Sequence, residues 1–280
     1  MFKKYLVYPH LLWMLIFVLV PILLVLVYSF ETAGVNGETI FSLENYQKLV
    51  DANYLSIFLR SVYLAVISSI ICVALGYPIS MILANREKRT GKSGLVWIFI
   101  LPMWMNMLLR TYSWLTILEK NGILNNLLEL LNLPAVNILY TSGAVVLGMV
   151  YNFLPFMILP IYSVLIKIDN SIIEAAEDLG ADSMTVFRKV TLPLSIPGVV
   201  SGITMVFLPA VTTFIISKLL GGGHYMLIGN LIENQFLVAD NWNFGSAISI
   251  LMMVLILLSM TIMNVFDKDA STEKKGGKKQ

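Results

Sequence analysis

The sequence predicts an all-α integral membrane protein with six transmembrane helices and with both termini in the cytoplasm. Of its 280 residues, 58% are hydrophobic and only 13% are charged, and the mean hydropathy is +0.80, far from the usage of soluble domains. A bilayer core about 30 Å thick needs roughly 20 apolar residues for each helical span. Six such runs are present, near residues 11–30, 57–84, 95–118, 139–165, 195–220 and 245–266.

The orientation follows from the basic residues, because lysine and arginine accumulate in cytoplasmic connections. With the N-terminus inside, the cytoplasmic segments hold 14 of the 19 basic residues: Lys3, Lys4, Arg86, Lys88, Arg89, Lys92, Lys167, Arg188, Lys189, Lys268, Lys274, Lys275, Lys278 and Lys279. Residues 1–266 are therefore assigned to one transmembrane domain. The lysine-rich residues 267–280 are expected to form a disordered basic tail in the cytoplasm, near anionic lipid.

The outer connections are acidic overall, since they carry eight carboxylates: Glu31, Glu38, Glu44, Asp51, Glu119, Glu129, Glu233 and Asp240. An acidic outer face favours the arrival of a cation. Positive-inside sorting leaves the same pattern, so the acidity alone does not identify a cargo.

The largest cytoplasmic connection, residues 167–194, contains a segment that is unlike the rest of the chain, EAAEDLGADSMTVFRKVTLP (174–193). Ser171 and Glu174 have the spacing of a capping box, which predicts a helix that starts at the next residue after the serine. Gly180 can adopt the left-handed conformation that ends such a helix. The connection is therefore expected to be ordered.

A second short helix is predicted after that turn, with Asp182 as its N-cap and Pro193 at its end. Met184, Phe187 and Val190 share one face of it by their i, i+3 spacing. Two helices this short are marginal in water by themselves. Either they pack beneath their own bundle, or Met184 and Phe187 dock into the groove of a soluble partner.

The spacing of this segment resembles the EAA signature of the permease subunits of bacterial ABC importers. The matching residues are Glu174, Ala175, Ala176, Gly180, Val190, Leu192 and Pro193. In that family the loop sits in a cleft of a cytoplasmic ATPase. The resemblance implies a type I ABC importer permease fold (MetI-like) and a coupling role for this segment, in which Asp182, Met184 and Phe187 also take part.

Four further stretches are similar to the spermidine/putrescine permeases of the PotB type: LPMWMNMLLRTYSWLTIL (101–118), VYNFLPFMILPIYSVLIKID (150–169), MVFLPAVTTFIISKLLGGG (205–223) and LIGNLIENQFL (227–237). This resemblance implies ATP-driven polyamine import across the bacterial cytoplasmic membrane. It also implies a homologous second permease subunit (PotC-type), an ATPase dimer (PotA-type) that binds ATP and Mg, and an extracytoplasmic polyamine-binding protein (PotD-type). No nucleic-acid partner is expected.

Several classes of protein do not fit the motifs. The sequence has no G-x-x-x-x-G-K-[ST] phosphate loop, no H-E-x-x-H and no G-x-S-x-G, and its histidines are His10 and His224. The chain is therefore not expected to be an enzyme by itself or to bind a cofactor or metal. Cys72 is the single cysteine, so it is interpreted as a small buried hydrophobe. The alternatives left open are a permease for another small solute and, further away, a stand-alone carrier.

Polar residues within the spans are candidates for the translocation path, because they tend to face the bundle interior or a water-filled cavity. The candidates are Asn106, Arg110, Tyr112, Trp114, Thr204, Thr212 and Glu233. Arg110 has a structural alternative, in which it bonds to carbonyls or to an acid such as Glu119, since an unpaired arginine would repel a polycation. Glu233, in the outer connection after the fifth span, is the predicted path carboxylate. Ammonium groups bind carboxylates, and Glu233 stands in a stretch, GNLIENQFL, that the family resemblance also includes.

The fifth predicted span carries a small-residue pair, Gly198 and Gly202, that permits close approach of another helix. Pro209 interrupts its backbone hydrogen bonds, and Pro155 and Pro160 do the same in the fourth span. A span of this kind can line a pathway and also move, although packing alone also explains the glycines.

Overall fold

The computed structural model describes residues 7–33, 38–91 and 94–276. The basic residues Lys3, Lys4, Lys92, Lys278 and Lys279, on which the predicted orientation partly depends, lie outside the described residues. Within them the chain is helical, as predicted, apart from one antiparallel hairpin between the first two long helices that pairs β1 (Glu31–Ala33) with β2 (Thr39–Phe41).

The helices follow one another with short connections. In chain order they are α1 (Val7–Met14 and Val20–Ser29, joined by the π-helical turn Leu15–Leu19), α2 (Glu44–Lys48), α3 (Ala52–Thr90), α4 (Val96–Ile100), α5 (Met107–Leu118), α6 (Ile123–Leu130), α7 (Ser142–Leu165), α8 (Asn170–Asp178), α9 (Ser183–Val186), α10 (Leu192–Thr212), α11 (Ile215–Leu220), α12 (Ile228–Leu237) and α13 (Trp242–Gly276).

Five helices in the described part of the chain are long and apolar enough to cross a membrane. They are Tyr8–Ser29, Ala52–Thr90, Ser142–Leu165, Ser183–Thr212 and Trp242–Met263. Their positions match the first, second, fourth, fifth and sixth runs of the sequence. The third run, residues 95–118, is not among them.

The third run is broken into pieces, so the prediction of one continuous helix there was wrong. After α4 comes the 3₁₀ turn Leu101–Trp104, and Met105 is then extended. Pro102 has no backbone N–H to donate, which favours a break in a helix. The side chain of Asn106 accepts a hydrogen bond from the Leu108 N–H at 2.8 Å and thereby caps a new helix, α5.

The fifth run was predicted as 195–220, and both of its boundaries were wrong. The helix is continuous from Ser183 to Thr212, and Thr213 is extended before α11 begins. The break is packed on α12, because a Cβ on Gly229 would lie only 2.4 Å from the Thr212 carbonyl oxygen. The Asn230 side chain also donates to the Phe214 carbonyl at 2.9 Å.

The helices of the second and sixth predicted spans, α3 and α13, are longer than predicted. α3 continues to Thr90 and ends at Gly91, whose φ of 67° is left-handed. α13 continues to Gly276, so helix is present where the sequence predicted the start of a disordered tail at residue 267. No glycine or proline stands between Gly245 and Gly276 to end it earlier.

The core is built around α7, which packs against both α3 and α10. Met149, Met157 and Ile161 of α7 are fully buried. A Cβ on Gly202 would lie 2.6 Å from Met157 Sδ, and one on Gly198 would lie 3.0 Å from the Pro160 carbonyl oxygen. The predicted close approach at these two glycines is therefore confirmed. Cys72 is buried, as predicted.

Candidate functional site

The first helix of the connection 167–194, α8, begins two residues earlier than predicted. Asp169 caps it, because its Oδ1 accepts a hydrogen bond from the Ser171 N–H at 3.0 Å. The predicted capping box between Ser171 and Glu174 was therefore wrong. The turn after α8 is as predicted, since Gly180 has a left-handed φ of 83°.

The second helix also differs from the prediction. Asp182 stands at the N-cap position of α9, as predicted, and its carboxylate accepts a hydrogen bond from the Thr185 hydroxyl. Pro193 does not end the helix. A π-helical turn over Phe187–Thr191 precedes it, in which the Leu192 N–H bonds to the carbonyl five residues back. This wider turn continues the helix past the proline, so α9 and α10 form one rod.

Hydrogen bonds hold the carboxylates of both N-caps in their charged form. The Ser171 backbone N–H lowers the pKa of Asp169 below its ordinary value, and Lys88 contributes with its positive charge. The hydroxyl of Thr185 lowers the pKa of Asp182. Both carboxylates are fully exposed to solvent, so the caps are charged at neutral pH.

Met184 and Phe187 do not share a docking face. The Met184 side chain is 54% exposed. Phe187 is half-buried, and its ring meets the ring of Tyr77 on α3 edge to face, with centroids 5.9 Å apart. Phe187 therefore attaches the segment to its own bundle, whereas Met184 faces solvent.

Other side chains of the segment are exposed to solvent, as Met184 is. Leu179 is 89% exposed and Ile172 is 47% exposed. Glu174, Ala175 and Pro193 are exposed too, while Ala176 is intermediate and Leu192 is 38% exposed. Ile172, Leu179 and Met184 thus leave apolar side chains open to solvent in a polar connection.

One hydrogen bond and one ring contact tie the connection 167–194 to α3. Lys88 Nζ donates to the carbonyl of Ile168 at 2.5 Å, and the Phe187 ring packs on Tyr77. Next to the connection, the hydroxyls of Tyr77 and Ser195 join α3 to α10 at 2.8 Å, and the Tyr162 hydroxyl of α7 donates to the Glu87 carboxylate of α3.

The candidate path residues are dispersed over several helices, and no side-chain hydrogen bond joins any two of them, although the Arg110 backbone N–H donates to the Asn106 carbonyl at 3.2 Å. Asn106 is the cap of α5, and Trp114 packs on Tyr151 with centroids 5.3 Å apart. Thr204 donates to the Val200 carbonyl at 2.9 Å and lies 2.7 Å from Met263 Sδ.

The two remaining hydroxyl-bearing candidates lie at the surface. Thr212 is exposed and donates to a carbonyl one turn earlier in α10. Tyr112 is 51% exposed.

Arg110 lies inside the bundle. A structural role would require its guanidinium to bond to backbone carbonyls or to an acid. Only 8% of the residue is exposed. Its Nε and Nη1 atoms have no hydrogen-bond acceptor among the described residues. The predicted pairing with Glu119 or with backbone carbonyls is therefore wrong for these two atoms.

Glu233 on α12 forms an ion pair with Lys218 on α11, with 2.8 Å between Oε1 and Nζ. The glutamate side chain is 21% exposed and the lysine side chain 61%. Ser217 Oγ and Asn230 Oδ1, 2.5 Å apart, hold the two helices together. The predicted path carboxylate therefore lies in a surface recess beside a cation of its own chain.

The family model described as binding-protein-dependent transport system inner membrane component matches residues 76–272, which is more than half of the chain. The chain belongs to this family. The match includes the segment 174–193, α7 and the two helices that carry Lys218 and Glu233.

The permease has curated relatives that align over most of its length. The spermidine/putrescine transport system permease protein PotB of Haemophilus influenzae is 41% identical over 251 residues, which cover 88% of this chain and 87% of the relative. The protein of the same name in Escherichia coli is 37% identical over 254 residues, which cover 89% and 92%.

Solved structures support the fold of the permease. A chain of a bacterial alginate ABC transporter in complex with a periplasmic protein superposes with a TM-score of 0.80 at 15% identity, covering 96% of this chain and 94% of that one. A chain of the MetNI methionine ABC transporter gives 0.57 at 16% identity, covering 77% and 95%. The permease therefore has the MetI-like fold of type I importers.

The permease is a multi-pass protein of the cytoplasmic membrane, as its family and its apolar helices establish. Its homologues are ABC transporter permeases, which are membrane subunits without a catalytic centre of their own. Membership implies an ATPase and a substrate-binding protein as partners. Within the described residues, no group of three or more His, Cys, Asp or Glu side chains could hold a metal ion.

Sequence reasoning missed several of the residues that organise these sites. Asp169 had a signal, since Asp is among the preferred N-cap residues. Lys218 lies 15 residues from Glu233 with a glycine-rich turn between them, so their pairing could not be read from spacing. Tyr77 and Lys88 each bond to a residue far away in the chain, for which a single sequence has no signal.

Proposed function

We propose that this permease forms half of the membrane path of an ATP-driven importer for the polyamines spermidine and putrescine. The observation that carries the proposal is its identity of 37–41% to spermidine/putrescine permeases, which extends over 88–89% of the chain. The coupling segment says nothing about cargo, because importers of other small solutes share it. A permease for another small solute is therefore the alternative to be tested.

The chain crosses the membrane six times with both termini in the cytoplasm. The broken third element, α4 with the turn that follows it and α5, is the additional crossing besides the five continuous helices. The excess of lysine and arginine in the connections on one side supports this orientation. The cytoplasmic segment then faces the ATPase, and the pair of Lys218 and Glu233 lies toward the outside.

The other subunits are a PotC-type second permease, a PotA-type ATPase dimer that binds ATP and Mg, and a PotD-type extracytoplasmic binding protein. The exposed Ile172, Leu179 and Met184 dock into the ATPase. Because α9 and α10 are one continuous rod, a displacement of the segment moves α10 without an intervening hinge. Gly198 and Gly202 pass that movement to α7, where the backbones are in contact.

Coupling of this kind is reciprocal: binding-protein contact outside biases the same two-state bundle that ATP biases inside. Glu233 is the proposed path carboxylate. An arriving ammonium group competes with Lys218 for it, and the cost is small because the lysine is mostly exposed.

Uptake into vesicles that hold the whole importer tests the proposal. Labelled spermidine should enter in an ATP-dependent manner, and unlabelled putrescine should compete with it. Vesicles without ATP and competition by an amino acid are the controls. Absence of spermidine uptake by a complex that hydrolyses ATP in response to another solute would establish the alternative.

A further inference from the structure

The π-helical turn Phe187–Thr191 is the place where the rod of α9 and α10 has least support from its own backbone. The bond that closes the turn, from the Leu192 N–H to the Phe187 carbonyl, spans five residues instead of four. Pro193 follows at once and has no N–H to donate. Sharp bends in helices occur at such turns and at prolines. The helix is nevertheless continuous from Ser183 to Thr212.

Tyr77 of α3 is connected to both residues that the closing bond of the turn joins. Its ring meets the Phe187 ring edge to face, with centroids 5.9 Å apart. Its hydroxyl lies 2.8 Å from Ser195 Oγ, which in turn donates to the Leu192 carbonyl at 2.9 Å. Because a serine hydroxyl has a single hydrogen, Tyr77 is the donor to Ser195. The tyrosine therefore reaches Phe187 directly and Leu192 through one hydroxyl.

The hydroxyl of Tyr77 has a role that packing does not explain. Only 8% of Tyr77 is exposed, and Ser195 is fully buried. A hydrogen bond in such surroundings is stronger than one in water, and consecutive hydrogen bonds reinforce each other. A phenylalanine would provide the same ring for Phe187 but no donor for Ser195. The two contacts of Tyr77 can therefore be separated by substitution.

The part of α3 that carries Tyr77 is fixed on α7, the centre of the core. A Cβ on Gly76 would lie only 2.9 Å from Met157 Cγ, so the two helices are in close contact there. One turn further on, the Ser80 hydroxyl lies 3.0 Å from the Ile158 carbonyl oxygen. Tyr77 thus extends to the turn from a base that is itself held in place.

We propose that Tyr77 is a positioning residue that braces the π-helical turn and keeps α9 and α10 in line. A displacement of the segment 174–193 then reaches α10 without being lost at the turn. This inference rests on the proposed function, in which that segment contacts the ATPase. Without the hydroxyl of Tyr77 the rod can bend at the turn, so that ATP hydrolysis continues while less substrate is transported.

The distance between spin labels on either side of the turn tests whether Tyr77 holds the rod straight. Ser183→Cys and Met205→Cys provide two exposed label positions, about 33 Å apart along the helix. Cys72, the single cysteine of the chain, is buried, and the importer is assembled with partner subunits that lack cysteine. Tyr77→Phe and Ser195→Ala should each broaden the distribution of distances. The double variant should broaden it no further, because the two hydroxyls form one bond.

The ratio of labelled spermidine taken up to ATP hydrolysed, measured in vesicles with the whole importer, tests the consequence for transport. Tyr77→Phe and Ser195→Ala should each lower it about fivefold, which corresponds to the loss of one hydrogen bond. Ser80→Ala is the matched control. Ser80 is also a fully buried serine, but its hydroxyl faces α7 and not the rod. It should change neither the distances nor the ratio.

Unchanged distance distributions in Tyr77→Phe and Ser195→Ala would overturn the proposal. So would a broader distribution with an unchanged ratio, or an equal effect of Ser80→Ala. If Tyr77→Phe does not accumulate, Ser195→Ala decides by the same measurements. Failure of the unsubstituted importer to take up spermidine would refute the proposed function, and the distance distributions would still decide whether Tyr77 braces the turn.

Discussion

Lys218 and Glu233 join two short helices, α11 and α12, through an ion pair with 2.8 Å between Nζ and Oε1. The two residues differ in their surroundings, because the lysine side chain is three times as exposed as the glutamate, 61% against 21%. An ion pair with an exposed partner contributes about 0–1 kcal/mol. The ion pair therefore positions the Glu233 carboxylate but contributes little to the stability of the fold.

Glu233→Gln should lower polyamine uptake at least tenfold, because the amide cannot receive an ammonium group as a carboxylate does. Loss of the ion pair alone explains no more than about a fivefold effect, equivalent to about 1 kcal/mol. Lys218→Gln removes the same ion pair and keeps the carboxylate, so its uptake should stay within fivefold of the unsubstituted importer. Equal losses in the two variants, measured as initial rates in vesicles, would show that Glu233 has only a structural role.

Gly180→Val should lower uptake several-fold while ATP hydrolysis continues. The φ of 83° at this position is left-handed, which costs a residue with a Cβ about 1–2 kcal/mol. A Cβ there would meet nothing within 4 Å, so the effect comes from the backbone and not from crowding. Asparagine tolerates this conformation, so Gly180→Asn should retain most of the uptake.

Gly94 provides the matched control for this prediction. A Cβ there also meets nothing within 4 Å, and its φ is not left-handed. Gly94→Val should therefore leave the ratio of transport to hydrolysis unchanged. Full uptake by Gly180→Val, or an equal loss in Gly94→Val, would contradict the coupling role of the turn.

Met184→Ser and Phe187→Ala should have different effects, although both residues lie on the same short segment. Met184 is exposed, so its substitution should leave thermal stability unchanged and reduce the amount of ATPase that co-purifies. Phe187 packs on Tyr77, so its loss should lower the unfolding temperature of the purified permease. Truncation of a buried phenylalanine costs about 3–5 kcal/mol, and a half-buried one less.

Size-exclusion chromatography after heating separates the two effects, and the ATPase recovered per permease is measured in the same preparations. If Met184→Ser lowers stability as much as Phe187→Ala does, Met184 is a packing residue and the docking surface has been placed incorrectly.

The sequence was sufficient for the class of fold and for the places of most spans, because apolar runs of about 20 residues match the thickness of a bilayer and are rare in soluble domains. It was insufficient where a local signal competed with a long-range contact. Asn106 was interpreted as a path residue because it is polar and lies within an apolar run, but it caps a helix that begins there. Pro193 was expected to end a helix, but a π-helical turn continues the helix past it.

The two parts of the candidate site, the segment 174–193 and the path residues, were not equally predictable from the sequence. The segment 174–193 is local in sequence, so its turn at Gly180 was predicted correctly. Asp182 stands at the predicted N-cap position, but its carboxylate bonds to the Thr185 hydroxyl and no side-chain capping bond to the helix is present. The path residues depend on which helix faces which, and a single sequence does not give helix rotation. Thr204 and Trp114 therefore contact neighbours in the bundle, and the roles assigned to them stay predictions.

Acidification should loosen α8 through its cap. The pKa of Asp169 is lowered below its ordinary 3.8 in the folded state, first of all by the Ser171 backbone N–H. A carboxylate with a depressed folded pKa contributes stability that is present above its unfolded pKa and is lost as the pH falls through the folded one. The hydrogen-exchange protection of residues 170–178, corrected for intrinsic rates, should therefore be constant from pH 7 to about 5 and decrease below pH 4. Asp169→Asn keeps a capping side chain without a titrating group, so its protection should lack this decrease, and identical profiles for the two proteins would show that the cap does not depend on charge.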